Sequence, residues 1–193
     1  PHLYPSGVLN KIKIRIKNMN EIINRLETWR KERVLDSTQG FEFDLNNQVS
    51  FLTEEITEYL RAKNDNDKID ALCDLTVFSL NAINGIDNNY SDIFSSTYCM
   101  QPKNYHIANI IDRIPYIFKC NMNGKYSFID IIEMCKYMID NMGYDYFKCM
   151  EETLKEIESR KGAFNPESGK WEKSLLPEHI EKWYKANYKS CKL

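Results

Sequence analysis

The stretch "ALCDLTVFSLNAI", residues 71–83, is apolar on nearly every side. A helix of that composition has no wet face to offer, so other elements must surround it. This narrows the fold more than any other feature, because partners have to pack on several flanks of one central helix. The rest of the chain supplies helices for that task. Gly (7) and Pro (6) are rare, strand-type alternation is hard to find, and apolar residues recur at the helical period.

"VLNKIKIRIKNMNEIINRLETWRKERVL" sets Leu9, Ile12, Ile16, Met19, Ile22, Ile23 and Leu26 on one broad face, which predicts a first long helix. "DSTQGFEFD" breaks it with turn residues, and Asp44 or Asn46 is placed to cap a second helix over about 46–63. After the polar turn "KNDNDK" a third helix runs from near Asp67 to about Ile83. The tight turn makes these two antiparallel neighbours. Residues 88–104 read as a loop with a short helix. "HIANIIDRIPYIFKC" and "FIDIIEMCKYMID" predict two shorter helices, with Pro115 kinking or ending the first. "GYDYFKCMEETLKEIESRKG" predicts another, closed by Gly162 near its C-cap. The remaining tail is polar, basic and aromatic, with a last helix from about Pro177. The expectation is one all-α domain, residues 1–193.

A chain of 193 residues can build a core without disulfides. Lys and Arg total 26 against 28 Asp and Glu, a net charge of -2, which argues against coating nucleic acid or an anionic membrane through bulk charge. Neither nucleic acid nor membrane is therefore expected as a partner. The six cysteines form no C-x-x-C pair and read as free thiols of a reducing cytosol. The first residues, "PHLYPSGVL", lack the charged start and apolar run of a signal peptide, and no run of 18 apolar residues exists. A cytoplasmic location is the expectation.

Acidic residues carry the chemistry. In "FLTEEITEYL", Glu55 and Glu58 lie three apart and Glu54 and Glu58 four apart, so each pair shares a helix face. Past the turn, Asp70 and Asp74 share a face of the next helix. Antiparallel pairing would bring Glu55, Glu58, Asp70 and Asp74 together. Each feature has an ordinary explanation: a glutamate pair on the solvated side of a helix, or an aspartate in a favourable first turn. Asp74 resists it, because it stands among Leu72, Cys73, Leu75, Val77 and Phe78 with no Lys or Arg at helical spacing on its own helix. Clustered carboxylates repel unless a hard cation joins them, and Mg²⁺ takes such oxygen ligands while keeping room for water and phosphate. Asn81, seven residues past Asp74, lies on the same face.

These residues resemble the all-α nucleoside triphosphate pyrophosphohydrolases: MazG-like proteins of the phage type, dimeric dUTPases and dCTP pyrophosphatases. Glu55-x-x-Glu58 matches the first half of the family pattern, E-x-x-E. The second half, E-x-x-D, is altered, since Ala71 stands where the acid would be and Asp70 lies one residue earlier. "SRKGAFNPESGKWEKS" is similar to the basic tail after the last bundle helix. The match covers about 8–87 and 143–185, leaving 88–142 as a helical insertion in a MazG-like bundle.

The resemblance implies cleavage of a (d)NTP to (d)NMP and pyrophosphate, in nucleotide-pool sanitation or nucleotide metabolism. Mg²⁺, with Mn²⁺ as a substitute, would be held by Glu55, Glu58, Asp70 and Asp74. Glu55 and Glu58 would be the catalytic acids, with Glu55 the base. Asn81 would contact substrate, and Arg160, Lys161, Lys170 and Lys173 the triphosphate. Gln48 and Trp29 are candidates for the nucleobase, Trp29 serving equally well as an ordinary packing aromatic. The family also implies a homodimer or homotetramer, and a single chain of this length offers few helices to cover the apolar third helix.

No P-loop is present, and His2, His106 and His179 never follow a glutamate by three, which opposes a P-loop NTPase and a carboxylate-bridged di-iron bundle. The competing readings are a non-catalytic helical interaction protein, a nucleotide binder without turnover, and phosphoribosyl-ATP pyrophosphohydrolase.

Overall fold

The computed structural model describes residues 6–39, 42–91, 93, 104–119, 123–167 and 170–193. The fold is all-α with one small hairpin. Helices α1 (Ser6–Glu32), α2 (Leu45–Arg61) and α3 (Asp65–Ile86) come first. Two short helices follow, α4 (Ile107–Ile111) and α5 (Ile114–Lys119), then α6 (Asn123–Asn141) and α7 (Tyr146–Ser159). Strands β1 (Gly162–Asn165) and β2 (Lys170–Lys173) pair antiparallel, and the single turn α8 (Pro177–Ile180) precedes a 3₁₀ turn at Tyr188–Cys191.

Helix α3 is the axis. It packs against α1, α2, α6, α7 and the C-terminal 3₁₀ turn. Ile69, Leu72, Leu75, Leu80 and Ile83 are wholly buried, each such side chain contributing roughly 1.5–3 kcal/mol by leaving water. By length and composition alone α3 could cross a membrane, but 67% of its most apolar window is buried inside the bundle. The chain covers its own apolar helix. The segment read as an insertion does much of this, since α6 lays the buried Ile131, Ile132, Cys135 and Ile139 into the core and packs on α3.

The caps explain where the helices start. Asp44, rather than Asn46, caps α2, its carboxylate accepting from the backbone N–H of Asn46 at 2.8 Å. Asn64 caps α3 by accepting from the Asp67 N–H at 3.0 Å, which moves the start ahead of the expected Asp67. α1 ends in a Schellman motif, with the Leu35 N–H reaching the Arg30 carbonyl at 2.9 Å and the Val34 N–H reaching Lys31 at 3.3 Å. Val34 occupies the left-handed position at φ 57, where glycine is usual.

Two expectations need correction. Pro115 neither kinks nor ends the first of the two short helices: α4 ends at Ile111, and Pro115 sits in the first turn of α5, where its missing N–H costs nothing. Gly162 does not cap α7. Arg160 is the C-cap, and Gly162 opens β1. A Cβ at Gly162 would lie 2.2 Å from the Glu172 carbonyl oxygen and 2.4 Å from the Trp171 ring, so glycine permits the close approach of the two strands.

Beyond the hairpin the chain returns along α7. The Tyr184 hydroxyl and the Asn187 N–H donate to Glu152 at 2.5 and 2.9 Å, and the Ala186 N–H donates to Glu156 at 2.8 Å. The Asp145 N–H donates to the Cys191 carbonyl and the Leu193 N–H to Gly143, each at 2.9 Å. Cys73, Cys135, Cys149 and Cys191 are free and buried; Cys99 and Cys120 lie outside the described residues.

Candidate functional site

Helices α2 and α3 pack together along their lengths, and the acids on their facing sides feel one another. Burial pushes the Glu55 carboxyl up to about 9, reinforced by the charges of Asp74, Glu58, Asp70 and Glu54. Burial likewise pushes Asp74 up to about 7, with Asp70, Glu156 and Glu58 adding to the rise and Arg160 offsetting part of it. The buried Oε2 of Glu55 has no hydrogen-bond partner. Glu58 is exposed at the edge of this group, whereas Asp70 and Asp74 are half-buried.

A carboxylate oxygen buried without a donor is costly. The surroundings that raise Glu55 and Asp74 would favour a bound cation, and an all-oxygen donor set suits a hard one. Among the described residues no three acids are gathered closely enough to grip an ion as they stand. Their chemistry fits Mg²⁺; their side chains would have to close around it.

Other elements reach this cluster. From α7, Arg160 is ion-paired with Glu156 at 2.6 Å. From the C-terminal turn, the Tyr188 hydroxyl donates to Asp70 Oδ1 at 2.6 Å. Next to Arg160 opens a cleft between the end of α1 and the hairpin, lined by Arg33, Arg160, Lys161, Trp171, Lys173 and His179 among others. Lys161 and Lys173 are exposed there, the Lys173 ammonium standing 6.0 Å from the Trp183 ring. Lys170 pairs with Asn165 in the hairpin, and its side chain lies outside those described.

Arg33 fastens the hairpin to α1. Its guanidinium lies 4.8 Å from the Trp29 ring and 5.2 Å from the Trp171 ring, and it donates to the Arg160 carbonyl at 3.1 Å. Burial lowers the Arg33 pKa, with Glu32 opposing. Trp29 is part of this clasp, and its indole N–H donates to the Ile157 carbonyl at 3.3 Å.

Asn81 stands apart from the acids. Its Oδ1 accepts from Arg30 at 2.8 Å within a buried group that also holds Tyr90 and Asp36. Gln48 ties α2 to α3 by donating to the Phe78 carbonyl at 2.7 Å. Of the residues read from sequence, Glu55, Glu58, Asp70, Asp74 and Arg160 are thus brought together. Lys161 and Lys173 border the adjoining cleft, and Trp29, Gln48 and Asn81 have partners within the fold.

Tyr188, Glu156 and Arg33 escaped sequence reasoning. Only the i, i+4 spacing of Trp29 and Arg33 gave a local signal; the others reach the site through contacts distant in sequence. Compared with known families, curated proteins and solved structures, the chain finds no match.

Proposed function

We propose that this chain is a Mg²⁺-dependent nucleoside triphosphate pyrophosphohydrolase of the MazG-like type, converting a (d)NTP to the (d)NMP and pyrophosphate. One observation carries the reading: carboxylates from two helices act on one another's charge around Glu55, one of whose buried oxygens has no hydrogen-bond partner. Glu55, Glu58, Asp70 and Asp74 would hold the ion, with Mn²⁺ as a substitute. Bound there, it would neutralise charge developing on the phosphate oxygens.

The chain's own groups supply the rest. Glu55 would take a proton from the attacking water as the water oxygen joins the α-phosphorus and the bond to the β-phosphate breaks. A cation beside Glu55 would bring its pKa down towards neutrality, where a general base works best. Arg160, Lys161, Lys170 and Lys173 would receive the departing pyrophosphate, with Arg160 first because its fork matches phosphate oxygens. Asn81, its oxygen engaged by Arg30 away from the acids, is better read as part of the fold than as a substrate contact. Gln48 and Trp29 remain the proposed nucleobase contacts. Nucleotide-pool sanitation in the cytoplasm, by a homodimer or homotetramer, completes the proposal; phosphoribosyl-ATP is the alternative substrate within the same chemistry.

Nucleotide binding without turnover is the second reading. It is favoured by Ala71 standing where the family pattern has an acid. Pyrophosphate release from a panel of canonical and modified nucleoside triphosphates, with Mg²⁺ and with EDTA, decides between them. Mg²⁺-dependent release that Glu58→Gln and Asp74→Asn abolish without unfolding supports the enzyme. Saturable nucleotide binding with no release leaves the binder.

A further inference from the structure

Tyr188 is 4% exposed, and its hydroxyl joins three elements. It donates to Asp70 Oδ1 on α3 at 2.6 Å and lies 2.9 Å from Thr153 Oγ1 on α7. A buried phenol needs a hydrogen-bond partner, and Thr153 alone would meet that need. The bond to Asp70 adds something different. A short bond to a carboxylate is charge-assisted and fixes that group's orientation. Here it occupies one oxygen of Asp70 and leaves the other available. The segment carrying Tyr188 is itself anchored through Glu152 and Glu156, and Glu156 pairs with Arg160, the cation that acts on Asp74.

We propose that Tyr188 is a positioning residue for the acid cluster. It aims Asp70 at the space shared with Glu55, Glu58 and Asp74, and so couples the order of residues 184–193 to divalent-cation affinity. This rests on the cation-binding reading of the cluster, not on turnover. Coupling of this kind is reciprocal: an ordered C-terminal segment tightens cation binding, and a bound cation protects that segment.

The test is Mn²⁺ titration of the full chain, followed by the loss of the free-ion paramagnetic signal, with limited proteolysis of the C-terminal segment alongside. Asp74→Asn is the control that locates the binding. Tyr188→Phe keeps the ring and removes only the hydroxyl. It is expected to fold, to raise the Mn²⁺ half-saturation about tenfold, as loss of one charge-assisted bond implies, and to lose the protection that Mn²⁺ gives the parent's C-terminal segment. Thr153→Val, which leaves the phenol but loosens it, is expected to shift half-saturation the same way by a smaller factor. It decides the matter should Tyr188→Phe fail to fold. Parent-like half-saturation in a folded variant overturns the role of Tyr188 and leaves the cation site standing. Absence of saturable Mn²⁺ binding in the parent, or binding unchanged in Asp74→Asn, overturns the cation reading and this inference with it.

Discussion

One stripe of α3 carries Asp74 and, seven residues on, Asn81, and each belongs to a polar cluster. Around Asn81, Arg30 and Asp36 are 2% and 1% exposed; Arg30 Nε and Asp36 Oδ2 make no hydrogen bond but face each other as an ion pair. Arg30 donates to Asn81 and Tyr90 and pairs with Asp36 at 3.6 Å. Burial works against the Asp36 charge, but the Thr38 hydroxyl and N–H, with Arg30, hold its carboxyl below the usual range. Around Asp74 the balance of charge differs. The carboxylates there outnumber Arg160, the cation that acts on Asp74, and Glu55 and Asp74 are pushed up. A closed cluster spends its polarity on the fold; an open one retains it for a ligand. The contrast in charge balance singles out the candidate site better than burial alone, because both clusters are buried to some degree.

Breaking the closed cluster should have the largest effect. Asp36→Ala leaves Arg30 buried and uncompensated, and is expected to cost about 3–5 kcal/mol in urea unfolding. A cost under about 1 kcal/mol would remove the distinction between the clusters. Asp74→Asn should act in the other direction on stability. Without a divalent cation at pH 8 it relieves repulsion and is expected to gain about 1 kcal/mol, while Mg²⁺-dependent pyrophosphate release falls at least about a hundredfold.

The pH dependence sharpens the same point. A carboxyl whose folded pKa is raised binds more protons folded than unfolded, so stability falls as pH rises between the two values. For Asp74 the window runs from its ordinary value to about 7, and for Glu55 to about 9. In EDTA, Tm should therefore decline from pH 4.5 to pH 9, Glu55→Gln should flatten the upper part of the decline, and Mg²⁺ should oppose it. A Tm that rises with pH across this range would mean the acids are satisfied within the chain. The smallest effect is at the end of α1, beside the clasp. Val34→Gly relieves a β-branched residue at φ 57 and is expected to add roughly 0.5–1 kcal/mol without altering cation binding.

The acid cluster was legible because its information is local. Helical period places Glu55 with Glu58 and Asp70 with Asp74, and a three-residue turn between α2 and α3 leaves little choice but antiparallel packing. The cleft beside it was legible only in part. The basic tail stood out by composition, yet its hairpin depends on Gly162 meeting Trp171, and its attachment depends on Trp29 and Arg33, more than a hundred residues earlier.

The sequence by itself determined that the chain is helical, that α3 must be surrounded, and that two pairs of acids lie on adjacent helix faces. Those properties follow from spacing along a helix, which the backbone imposes residue by residue. Only the tertiary structure decided that α6 closes the bundle over α3, that Asn81 belongs to a closed network, and that the C-terminal segment brings Tyr188 onto Asp70. Contacts between residues far apart in the chain depend on how whole elements pack, and no local period encodes them.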